Sequence, residues 1–157
     1  DLRDGRSHRP SGHGFGSLIM VAVTILAGAL VAGMDAGLLY NEYPLMGDGL
    51  VPVEYGDEGW LDAFKNPASA QFHHRWLAAL TFIAVLALAM RARIMPGLRL
   101  RAYVVFAIIS AQFILGIFTL LNGVPVWLGG LHQAGAVALL ASILWLLHGN
   151  GRQQLSS

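Results

Sequence analysis

The 157-residue sequence is 55% hydrophobic and only 12% charged, about half the charged share of a soluble domain (roughly 25%), and its mean hydropathy is +0.58. That balance points to a membrane protein, and a net charge of +1 gives no electrostatic ground for a nucleic-acid partner. Cysteine is absent, which excludes disulfides, iron–sulfur clusters and thiolate chemistry within this chain; any metal must be held by His, Met or carboxylate.

Residues 1–14 are polar and rich in Gly and Arg. They lack the apolar h-region and cleavage site of a signal peptide and read as a tail or an interhelical loop. The chain opens on Asp1 rather than Met, so it reads as a piece of something longer. Four apolar stretches follow, at 15–36, 69–90, 102–121 and 126–147. Each meets the length of about 20 residues that a bilayer requires. The expected fold is all-α: an integral membrane four-helix bundle over residues 15–148, with a polar C-terminal tail at 149–157.

The arginines set the expected orientation. Arg3, Arg6 and Arg9 precede the first span, Arg91, Arg93, Arg99 and Arg101 fill the link between the second and third, and Arg152 follows the fourth. With four crossings these fall on one side. The positive-inside rule makes that side the cytoplasm of a bacterium, or the matrix for a mitochondrial inner-membrane protein, with both termini inside. The opposite side is acidic, with Asp35, Glu42, Asp48, Glu54, Asp57, Glu58 and Asp62 against Lys65 alone.

The outer loop at 37–68 is long, and long loops are commonly functional or disordered. It holds Tyr40, Tyr43, Tyr55, Trp60 and Phe64, which argues for an ordered lid over the outer ends of the helices. A loop merely resting at the interface is the plainer alternative. Gly47-Asp48-Gly49 reads as a turn, and residues 60–65 as a short interfacial helix.

The first span carries small residues at helical spacing, Gly28 and Gly33 among them, a pattern that lets membrane helices approach closely. Gly116 in the third span lies in a run similar to that around Gly28, and the second and fourth spans both open with a histidine. The chain therefore contains a weak repeat of two helix pairs.

Asn66-Pro67 reads as an N-cap followed by proline at the first helical position, and Pro125 plays the same part before the fourth span. His74 lies seven residues after Pro67 and His132 seven after Pro125. At 1.5 Å per residue both imidazoles sit about 10 Å below their helix starts. Equal depth on parallel helices is what two axial ligands of one haem iron need, and intramembrane ionisable groups commonly mark function. A hydrogen-bonded packing pair and a proton relay are the rivals. Arg75 is placed to pair with a haem propionate or to snorkel to the headgroups. Gln133 is placed to hydrogen-bond within the site or to a neighbouring helix. His73 points about 100° away from His74 and cannot share its iron face. His148 sits at the inner end of the fourth span, and His8 and His13 in the tail; none of these three is assigned to a site.

Several strings closely resemble the C-terminal half of the haem A synthase family. They are residues 28–37 (Gly-Ala-Leu-Val-Ala-Gly-Met-Asp-Ala-Gly), Tyr40-Asn41, Pro44-Leu45-Met46-Gly47, Asn66-Pro67, Gln71-Phe72, His74-Arg75 and residues 131–135 (Leu-His-Gln-Ala-Gly). The match covers nearly all of the chain after the tail, and the outer loop looks most like α-proteobacterial and mitochondrial members. The resemblance implies an eight-helix enzyme of two four-helix halves, each with a histidine pair. It oxidises the C8 methyl of haem O to a formyl group, making haem A for cytochrome oxidase. It further implies that His74 and His132 are the axial ligands of a haem b in the half that transfers electrons. The family's N-terminal half carries a glutamate three residues before its own ligand histidine; Gln71 stands there in this chain. His73 is a departure, since relatives generally carry Asp or Asn, and the outer-loop cysteines of some bacterial members are missing.

The expected partners are thus the lipid bilayer, an electron donor, and an N-terminal four-helix half or a second copy, with haem O as substrate of the complete enzyme. The rival function is a non-enzymatic cytochrome b-like membrane anchor or electron carrier. A cofactor-free structural bundle is the third reading.

Overall fold

The computed structural model describes residues 11–153, and no strand occurs among them. Four long helices are present: α1 (Ser11–Gly33), α3 (Pro67–Ala92), α4 (Arg99–Leu121) and α5 (Val126–Gln153), with a one-turn helix α2 (Asp62–Lys65) in the outer loop. All four are long and apolar enough to cross a membrane.

The helices form a ring in which α1 packs on α3, α3 on α4, α4 on α5 and α5 back on α1. The two histidine-bearing helices, α3 and α5, therefore stand at opposite corners. One contiguous apolar core ties the ring together. It contains Val21 of α1, Val85, Leu88, Ala89 and Ala92 of α3, Leu98, Ala102, Val105 and Ile109 at and along α4, and Leu139, Ile143 and Leu146 of α5. These positions all belong to the half of the bundle that holds the start of α1 and the end of α5.

Several helix ends differ from the sequence expectation, each for a local reason. α1 begins at Ser11, so residues 11–14 are helix and not tail; the rest of the expected tail lies outside the described residues. Neighbours hold this turn in place: His13 Nε2 meets the Ala84 carbonyl at 3.0 Å, and Gly14 packs against Leu147. His13 is thus a packing residue between α1 and α3. The far end of α1 stops at Gly33 because Asp35 takes a left-handed backbone (φ 51°), and a 3-10 turn at Ala36–Leu38 follows. α3 starts at Pro67, two residues early, under an Asn66 cap whose side chain accepts from the N–H groups of Ala68 and Ser69. At its other end α5 runs on to Gln153, so residues 149–153 extend the helix where a polar tail is expected.

The outer loop is folded. Gly47 (φ 72°) makes the expected turn, closed by a Met46 N–H to Gly49 carbonyl bond of 2.7 Å. A 3-10 turn at Gly59–Leu61 leads into α2. Asp62 accepts from the N–H groups of Gly56 (2.9 Å) and Glu58 (3.2 Å) and from the Asn66 amide (3.0 Å). Burial pushes its carboxyl up, but the nearby Ser69 hydroxyl and these three donors outweigh that and hold it at about 2.

Candidate functional site

The loop is strapped to the bundle by the residues beside His74. Arg75 donates from Nη1 to the Leu45 carbonyl (2.9 Å) and from Nη2 to the Tyr40 carbonyl (2.8 Å). Gln71 donates to the same Tyr40 carbonyl at 2.9 Å. Asn41 ties the loop to α4 through the Leu120 carbonyl at 3.1 Å. Tyr40 donates its hydroxyl to Glu54 at 2.7 Å, and that bond to a carboxylate raises its pKa above the ordinary value. These contacts close the outer mouth of the α1–α3 pair.

Below the strap the bundle changes character. In the core half every long helix has a buried inward face. In the layer defined by residues 22–33 of α1, 72–80 of α3, 110–118 of α4 and 129–138 of α5, no residue is buried. The helices are still held at their seams, by the Phe82–Phe113 stack (4.7 Å between centroids) and the Thr24–Thr81 hydroxyl pair (2.7 Å). The four helices thus bury less of their surface in this layer than in the core half.

His74 and His132 lie in that layer, on opposite corners of the ring, and His132 is within electrostatic reach of His74. The Nδ1 atom of each ring is buried without a hydrogen-bond partner. Each ring rests on a glycine of the neighbouring helix. A Cβ at Gly28 of α1 would meet His74 Cε1 at 2.9 Å, and one at Gly116 of α4 would meet His132 Cε1 at 2.8 Å. The sequence repeat thus has a physical content: α1–α3 and α4–α5 are two copies of a glycine helix seating a histidine helix.

The other expected site residues fall as follows. Arg75 faces the loop with both Nη groups bonded, while its Nε is buried and unpartnered. Gln133 is exposed, because the next residue after His132 is turned about 100° around the helix. The amide that does reach His132 is Gln112 of α4, which donates to its backbone carbonyl at 2.8 Å and lies over Gly135. Sequence reasoning missed Gln112; the available signal is that it precedes Gly116 by four residues, as Thr24 precedes Gly28. His73 turns away to the loop, 3.3 Å from the Tyr55 hydroxyl, and His148 is exposed.

This donor set fits a haem. Two imidazoles, each with a buried Nδ1 that has no hydrogen-bond partner, stand in one loosely packed apolar layer. Among the described residues no group of three or more His, Asp or Glu side chains is placed to hold a bare metal ion. Axial ligation of a haem iron needs only two.

Comparison with known proteins shows the family. A family model described as "Cytochrome oxidase assembly protein" matches residues 2–144. The haem A synthase of Paramagnetospirillum magneticum is 41% identical over 97% of this chain and 46% of its own length. The chain belongs to the haem A synthase family. The Rhodospirillum centenum enzyme of that name is 43% identical over 87% of this chain and 38% of its own length. The Homo sapiens haem A synthase is 38% identical over 85% of this chain and 34% of its own length. The chain spans less than half the length of these family members. No solved structure matches it.

Proposed function

We propose that this chain is the haem b-holding half of a haem A synthase, and that it passes electrons to the half where haem O is oxidised at its C8 methyl to the formyl group of haem A. One observation carries the reading: His74 and His132 stand at opposite corners of the ring, each with a buried Nδ1 that has no hydrogen-bond partner, in a layer where no residue is fully buried.

His74 and His132 would be the axial ligands. Arg75, with its Nε free beside the layer, would offer a positive charge to a propionate while its Nη groups keep the loop closed. When bound, a haem held by His74 and His132 would supply one-electron transfer. The rest of the chemistry here is done by the protein. The apolar core below and the strapped loop above exclude water, and the two glycine helices orient the rings. In the whole protein the partners are the other four-helix half or a second copy, an electron donor, the bilayer and the haem O substrate. The basic end of the bundle would face the cytoplasm or matrix.

The rival is a cytochrome b-like carrier or anchor, which would hold the same haem without acting on haem O. The first test is spectral. The purified chain supplied with haem b should give a reduced-minus-oxidised spectrum with the sharp α and β bands of a six-coordinate low-spin haem. His74→Ala and His132→Ala should each lose them. Unchanged bands in both variants would rule out the ligand assignment.

A further inference from the structure

The role of the two glycines goes beyond letting helices pack. We infer that Gly28 and Gly116 are the ligand-positioning residues of this site: each is the seat that sets an axial imidazole, and the missing side chain is what allows both rings to serve one iron. The inference rests on the haem reading above.

The geometry is specific to these two positions. Of the other helical glycines, Gly12, Gly16, Gly33, Gly129 and Gly130 have nothing within 4 Å of an added Cβ, and Gly14, Gly135 and Gly149 would meet the ends of the flexible Leu147, Gln112 and Arg101 side chains; at Gly28 and Gly116 all three nearest atoms belong to a histidine ring. At Gly28 the distances are 2.9 Å to Cε1, 3.4 Å to Nδ1 and 3.6 Å to Nε2; at Gly116 they are 2.8 Å to Cε1, 3.4 Å to Nε2 and 3.5 Å to Nδ1. The glycine thus meets the ring head-on at the carbon between its nitrogens. A methyl group there would push on both nitrogens at once, and rotation of the ring about its own axis relieves little of that. The ring is not a flexible chain end that can swing aside. Its Cα is fixed in a helix, so relief requires a new side-chain rotamer, which takes the nitrogen away from the shared centre.

A second hold lies one turn away on each seat helix. Gln112 fixes the His132 backbone through its carbonyl (2.8 Å), and Thr24 bonds Thr81 of α3 (2.7 Å). α1 and α4 therefore act alike: a polar side chain fixes the histidine helix, and a glycine four residues on receives the ring. This order recurs in both helix pairs, which ordinary small-residue packing does not require.

The test compares Gly28→Ala and Gly116→Ala with Gly16→Ala and Gly33→Ala, all loaded with haem b. The readouts are the low-spin electron paramagnetic resonance signal, carbon monoxide binding to the reduced protein, and rescue by free imidazole. Each seat variant should lose the low-spin signal, gain carbon monoxide binding and recover the low-spin signal with imidazole, while the other two match the parent chain. Seat variants that keep the parent signal and refuse carbon monoxide overturn the inference. If Gly28→Ala does not fold, the same change in a His74→Ala background decides. There the methyl has no ring to strike, so folding equal to His74→Ala alone supports the seat, and failure to fold overturns it. A parent chain with no low-spin haem would instead refute the underlying haem reading.

Discussion

At the scale of single residues, much of the outer half is held by polar side chains that each serve two elements. Asp62 joins the turns at Gly56 and Glu58 to the Asn66 cap of α3. Its carboxyl stands at about 2 against an ordinary 3.8, so the folded loop is favoured by the ionised form. That contribution is complete above about pH 4 and is lost as pH falls toward 2, where the folded state must also take up the proton. The protection factors of the Gly56 and Glu58 amides, taken against intrinsic exchange at each pH, should fall over that window in the parent chain. In Asp62→Asn the same amides should exchange fast at neutral pH and show no further loss between pH 4 and 2; parent-like protection in that variant would disprove the role. Gln71 works in a related way. Its amide donates to the Tyr40 carbonyl, which a glutamate, an acceptor only when ionised, cannot do. Gln71 thus supplies a donor that fastens the loop.

At the scale of elements, the start of α3 was readable because its signals are local. Asn66 caps and Pro67 opens the helix, as the dipeptide suggests. Pro125, expected to open α5 in the same way, instead precedes it, since that helix begins at Val126. What was not readable depends on contacts between helices. Residues 11–14 look like tail in composition, yet α3 and α5 hold them as helix through Ala84 and Leu147. Gln112 reads as an ordinary mid-span amide until the structure shows which backbone carbonyl it meets. Orientation in the bilayer is an expectation from the arginines and has its own test. Single cysteines replacing Asp57 in the outer loop and Gly97 between α3 and α4 have no native thiol to compete with them. A membrane-impermeant reagent should label the two from opposite sides of sealed vesicles, Gly97→Cys from the side that bears the arginines. Labelling of both from one side would exclude the four-crossing arrangement.

At the scale of the whole molecule, the described residues form one ring of four long helices with one histidine pair, and the chain spans less than half the length of the relatives it matches. Both histidines of that ring are committed to a single layer, and a haem held there by two axial ligands leaves no iron position for a further reactant. Converting a methyl group to a formyl group needs a place for the substrate as well as a source of electrons. The amide at Gln71 supplies neither a base nor a negative charge, and it is already engaged with the loop. The chain alone should therefore bind haem b and yet leave haem O unchanged. Pigment extracted from cells that make haem O gives the measurement. Cells expressing the chain alone should contain haem O and no haem A, and cells that also express a family N-terminal four-helix half should contain haem A. The same co-expression with His74→Ala should fall back to haem O, because the second half would then lack its electron supply. Appreciable haem A from the chain alone would overturn this division of labour and would point to paired copies in which one histidine pair serves both roles.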